Sequence, residues 1–194
     1  MNLGLPSRVG KTPAATIRPI CELWTVPQVD AAISSAKNHP QTVVGIVVGN
    51  EDMFLSDGTA VPVLQKRVVA DIKRINNALK NLFPPVTVTT ALRDPDWYRL
   101  NQSDPEGVLS SVQVVGDNIY PFWGNSPEKV GGVSVASKTQ TTAMNLKTAL
   151  ATKDVTDVIV TEEGWPSCGS NPNTQDKSKS GEIDYFHTWR QHVN

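Results

Sequence analysis

The stretch VVGIVVGNE, Val43 to Glu51, is an apolar run that stops abruptly on an amide and a carboxylate. Both alternating faces of VVGIVV are hydrophobic, as in a strand covered on both sides, the situation of a parallel sheet with helices packed over it. Downstream, Leu64, Val68, Ile72, Ile75, Leu79 and Leu82 recur every three or four residues, with Lys66, Arg67, Lys73 and Lys80 elsewhere around the turn. This period predicts a helix with one face for a sheet and one for water. Phe83-Pro84-Pro85 is expected to end it.

The same alternation continues along the chain. VTVTT (86–90), SVQVVGDNIY (111–120) and DVIVT (157–161) read as further strands, and MNLGL (1–5) as one that precedes them. Val29, Ala32, Ile33 and Ala36 mark a helix before the Val43 run. Ala136, Gln140, Ala143, Leu146 and Leu150 mark another, and Ile183, Phe186, Trp189 and Val193 a last one. The segment RDPDWYRLNQSDPEG (93–107) leaves room for only a short helix. Strands alternating with helices are the pattern of βα units around a parallel sheet.

Composition limits the function classes. The chain has 194 residues, 39% hydrophobic and 19% charged, which suits a single domain spanning 1–194. Its net charge of −1, with no basic stripe, excludes nucleic acid as an expected partner. No apolar run reaches the roughly 18 residues of a membrane span, and MNLGLPSRVGKT has no signal-peptide core. Two cysteines, Cys21 and Cys168, and three histidines form no metal-binding spacing, so neither a metal nor a cofactor is expected. A Cys21–Cys168 disulfide and idle thiols both remain open.

Two strands end in glutamate, Glu51 and Glu162, separated by two βα units. In an α/β barrel, strand ends distant in sequence converge on one face, where active sites sit. Two carboxylates on such a face are what glycosidic bond cleavage needs: one protonates the leaving oxygen while the other attacks the sugar or activates water. Glu163 adjoins Glu162, and because the strand is apolar on both faces its alternation does not choose between them.

GIVVGNE, DNIYPFW and VIVTEEGWPSCG, in that order and each closing a strand-like run, resemble glycoside hydrolase family 17, the β-1,3-glucanase family, with its V-G-N-E and E-x-G-W-P-S motifs. The resemblance implies a (β/α)8 TIM barrel that cleaves β-1,3-linked glucan by a retaining double displacement, like a glucan endo-1,3-β-glucosidase. It implies Glu51 as acid/base and Glu162 as nucleophile, with Glu163 a solvated loop carboxylate. Asn50 corresponds to the asparagine that bonds the sugar 2-hydroxyl, and Tyr120 to the aromatic residue beside the nucleophile. Trp123 is expected either to be a stacking platform for a glucose ring or simply to pack. Trp165, inside the motif, is expected to meet substrate or to pack.

On this alignment VVGIVV is the fourth barrel strand and DVIVT the seventh, so the sequence is expected to hold about strands three to seven, an internal portion of the barrel. The resemblance places such proteins outside the cell or at the cell wall. Trp97 and Tyr98 are candidate outer sugar contacts, while Asp52 and Asp94 read as turn or solvated carboxylates. Alternatives are a glucan transglycosylase using the same carboxylate pair and a catalytically idle glucan-binding protein. A serine hydrolase built on Ser167 or Ser170 lacks the nucleophile-elbow motif. Oligomeric state is not legible.

Overall fold

A computed structural model describes residues 15–17, 22–123, 133–168 and 179–192. Five parallel strands, β1 (Ala15–Ile17), β2 (Gly45–Asn50), β3 (Thr87–Arg93), β4 (Val114–Ile119) and β5 (Asp157–Glu163), form one sheet in sequential order. Helices α1 (Glu22–Asn38), α2 (Pro62–Leu79), α3 (Asp94–Gln102) and α4 (Val133–Leu150) connect them, and α5 (Lys179–His192) follows β5. Parallel neighbours require such crossovers, so the βα pattern in the sequence becomes the topology directly. The first strand among the described residues lies at Ala15–Ile17, paired with Ile46–Val48; MNLGL, expected as a strand, falls outside the described residues.

One core fills the space between the sheet and the helices. Ile46 and Val48 of β2, Val88 and Leu92 of β3, and Val115 of β4 meet Val29, Ala32 and Ala36 of α1, Val68, Ile72 and Ile75 of α2, and Leu146 and Leu150 of α4. The opposite, inner face carries Val47, Thr89, Ala91, Gly116 and Asn118, because residues paired in register across parallel strands point the same way. Gly116 leaves no free space for a side chain there. A Cβ on it would lie 2.7 Å from the Thr90 carbonyl oxygen and 2.8 Å from Thr161 Cγ2, closer than real Cβ atoms come.

Both strands that end in glutamate carry one extra residue just before it. Val47 pairs with Thr89 and Asn50 with Ala91, so three steps of β2 match two of β3. Val160 pairs with Asp117 and Glu162 with Asn118, so two steps of β5 match one of β4. Such bulges bend a strand and re-aim its side chains. They turn the strand ends toward the site.

Candidate active site

At the end of β2 the chain turns through two left-handed residues, Gly49 (φ 76°) and Glu51 (φ 59°). Glycine takes this conformation freely, whereas for glutamate it costs on the order of 1–2 kcal/mol. The strained turn is held from both sides: Glu51 N–H donates to the Ala91 carbonyl at 2.9 Å, and Asn50 N–H donates to Asp52 Oδ2 at 3.2 Å. Asp52 is thus a turn carboxylate, as its sequence suggests.

Asn118 organises the inner face. It is almost fully buried, and its Nδ2 donates to Glu51 Oε1 at 2.8 Å and to Asn50 Oδ1 at 2.9 Å, while its Oδ1 accepts from Thr161 Oγ1 at 2.7 Å. Three strands are joined through one amide. Because Asn50 Oδ1 is the acceptor, the Asn50 amide nitrogen has no hydrogen-bond partner among the described residues. Asn118 lies inside DNIYPFW, yet nothing in its sequence neighbourhood distinguished it from a structural polar residue.

The β5 bulge settles which glutamate faces the site. Thr161 and Glu162 both reach the side of Asn118, and Glu163 falls on the helix side, where Thr139 Oγ1 donates to its Oε1 at 3.0 Å and the Tyr185 hydroxyl donates to the same oxygen. Glu163 is therefore a half-buried link between β5, α4 and α5, not the solvated loop carboxylate expected. Burial pushes its carboxyl up, against the lowering effect of those two hydrogen bonds. The Tyr120 hydroxyl donates to Glu162 Oε2 at 2.8 Å. Burial, followed by that bond and the charges of Glu162 and Glu51, holds this phenol well above its usual range, so it stays a donor.

Glu51, Asn118, Tyr120 and Glu162 line a single cleft of about 630 Å³, together with Arg93, Asp94 and Pro95 from the junction of β3 and α3. The volume is that of a small-ligand site. Asn50 is not among its lining residues; it is hydrogen-bonded to Asn118, which is. Trp165 does not line it: the indole is 6% exposed, meets Phe122 edge-on at 5.2 Å and stacks on Tyr185 at 5.3 Å, so of the two expected roles it fills the packing one. Trp123 ends a 3-10 turn, Pro121–Trp123, and its side chain lies outside the described residues. Trp97 is fully buried, with Nε1 donating to the Gly116 carbonyl at 2.9 Å, which removes it as a sugar contact. Tyr98 packs against the core. Cys168 is exposed, and Cys21 lies outside the described residues. Among the described residues, no group of His, Cys, Asp and Glu could hold a metal ion, and no helix is long and apolar enough to cross a membrane.

The model of the BtgE/BtgC glycoside hydrolase domain matches residues 25–194. The chain belongs to this family. Solved structures share the domain's fold. An endo-laminarinase from Formosa Hel1_33_131 superposes with a TM-score of 0.64 at 15% identity, over 87% of this chain and 50% of that one. A Bacteroides uniformis β-glucuronidase gives 0.55 at 16% identity, over 92% of this chain and 21% of its own. One of two fungal β-1,4-galactanases gives 0.51 at 19% identity, over 85% and 52%. The fold is thus an α/β barrel of the TIM type, of which the described residues supply five strands. The BtgE/BtgC domain spans half or less of the length of the first two of these structures. A comparison with curated proteins returns no match.

Proposed function

We propose that this domain is a retaining glycoside hydrolase that cleaves β-1,3-linked glucan, in the manner of the family 17 glucanases. One observation carries the reading: Glu51 and Glu162, delivered by separate bulged strands, line one cleft and are each gripped by a β4-end residue, Asn118 and Tyr120. Support also comes from the V-G-N-E and E-x-G-W-P-S motifs and from the glycoside hydrolase family to which the chain belongs.

In the proposed mechanism Glu162 attacks the anomeric carbon and forms a glycosyl ester, while Glu51 gives its proton to the departing glycosidic oxygen. Glu51 then takes a proton from water, which opens the ester and releases the sugar with its β configuration retained. Tyr120 orients Glu162 through its hydrogen bond, and the free Asn50 amide meets the sugar 2-hydroxyl. A double displacement works with the carboxyl groups about 5–5.5 Å apart, too close to seat a water between them. On this reading the substrate is an extracellular or cell-wall glucan.

The test is to incubate the protein with laminarin and with a β-1,4-glucan and follow the new reducing ends by NMR. The proposal expects release from laminarin, with the β-anomer appearing first. Release from the β-1,4-glucan alone, or with the α-anomer first, contradicts it. Sugar bound with no release favours the glucan-binding alternative, and longer oligosaccharides favour transglycosylation.

A further inference from the structure

One wall of the cleft has no part in the chemistry above. Arg93 closes β3, Asp94 opens α3, and both line the cleft. Arg93 pairs in register with Asn118, which sets it on the same inner face as the amide that grips Glu51. Its guanidinium is fastened along one edge. Nε and Nη2 each lie 2.8 Å from Asp96 Oδ2, and Nη2 also donates to the Leu55 carbonyl at 3.3 Å. Asp96 is fully buried, and its second oxygen accepts from Arg99 Nη1 at 2.5 Å, so its position is fixed. The donors on Arg93 Nη1 have no partner among the described residues. The half-buried Asp94 carboxylate lines the same cleft and, among the described residues, accepts only from its own backbone N–H.

We propose that Arg93 and Asp94 form a subsite for a neutral sugar ring next to the scissile bond, the guanidinium donating to one ring hydroxyl and the carboxylate accepting from its neighbour. The subsite rests on the glucanase reading above. Adjacent ring hydroxyls each donate and accept, and a fixed donor and an acceptor lining one cleft can serve such a pair. Charge decides the class of sugar. The Arg93 cation is matched by Asp96, while Glu51, Asp94 and Glu162 bring carboxylates to the same cleft, so a uronate would meet repulsion rather than an unpaired cation. Burial, with the Asp96 charge adding to it, pushes the Asp94 carboxyl up, and hydroxyl donors from a sugar would favour its charged form.

Titration calorimetry on the Glu162→Gln protein, which cannot form the ester, reads the subsite without turnover. The probes are laminaripentaose and trigalacturonate. Asp94→Ala in that background should weaken laminaripentaose binding roughly ten- to hundredfold, the loss of one charge-assisted hydrogen bond. Asp94→Asn, which keeps one acceptor oxygen, should lose less. If Asp94→Ala fails to unfold cooperatively, Asp94→Asn carries the test, and an unchanged affinity there overturns the subsite. Unchanged affinity in a folded Asp94→Ala protein does the same. Tighter binding of trigalacturonate than of laminaripentaose overturns the neutral-sugar assignment. If the Glu162→Gln protein with Asp94 intact binds no laminaripentaose, the glucanase reading itself fails and takes the subsite with it.

Discussion

Replacing Asn118 by aspartate changes almost no volume and reverses the hydrogen bonding at the centre of the inner face. The bond from Thr161 Oγ1 survives, because a carboxylate oxygen still accepts it. Both donations from Nδ2 disappear. Losing the one to Glu51 costs about 1.5–3 kcal/mol as a bond to a charged group, and losing the one to Asn50 about 0.5–1.5 kcal/mol. The introduced carboxylate also faces Glu51 Oε1 where the donor had been, 2.8 Å away. At an effective dielectric of about 20, two charges roughly 3 Å apart repel by about 5 kcal/mol, a ceiling that proton uptake by the pair would lower.

Asn118→Asp should therefore lose about 4 kcal/mol near neutral pH, a large share of a typical domain's 5–15 kcal/mol. The sign of its pH dependence follows from the repulsion. The pair holds a proton more tightly folded than unfolded, so the penalty is largest above its titration range and shrinks toward about pH 4, leaving the lost donations, at least about 2 kcal/mol. Urea unfolding of parent and variant across that range measures it. On the glucanase reading, kcat/KM should also fall at least about a hundredfold, since Glu51 loses the group that aims it. A variant within about 1 kcal/mol of its parent near neutral pH, or one whose penalty does not change with pH, would refute the role given to Asn118.

Asp117 is fully buried on the helix side of β4, neither of its oxygens has a hydrogen-bond partner, and burial, with the Asp94 charge adding to it, pushes its carboxyl up to about 8. Its folded value lies above its unfolded one, so stability should fall as pH rises from about 4 toward 8, by roughly 6 kcal/mol at most, and thermal unfolding of Asp117→Asn should lack that part of the slope. Gly116→Ala should cost about 1–3 kcal/mol in urea unfolding, because the new methyl group meets the Thr90 carbonyl and Thr161. Tyr120→Phe should leave the fold intact and lower kcat/KM on laminarin about ten- to hundredfold, by removing the hydrogen bond that orients Glu162.

The βα order was legible because the β2 run is apolar on both faces and the α2 residues Val68, Ile72, Ile75 and Leu79 recur at the helical period and are all buried. Strand ends gave Glu51 and Glu162 as candidates, since a carboxylate closing a buried strand of an α/β sheet emerges at the face where such sheets bind ligands. Bulges were not legible. Simple alternation from Val160, which shares a face with Asp117, would send Glu162 toward the helices, and the extra residue in β5 reverses this. Asn118, Arg93 and Asp94 carry no local signal, because their roles depend on contacts with strands and helices far along the chain. Trp97 looked like a surface aromatic in a polar loop. It is a core residue, because α3 turns it inward beneath Gly116. The short β1 has only three residues, too few for a period to show.

The central claim is that Glu162 becomes covalently joined to the sugar. A 2-deoxy-2-fluoro-glucosyl donor with a good leaving group slows both steps, and slows breakdown of the ester enough to accumulate it. Intact-mass spectrometry followed by peptide mapping of the treated protein locates the label. The account predicts one fluoroglucosyl group on Glu162, absent from the Glu162→Gln protein and discharged when a sugar acceptor is added. A label on Glu51 or Glu163, or hydrolysis of laminarin with inversion and no label, would contradict it.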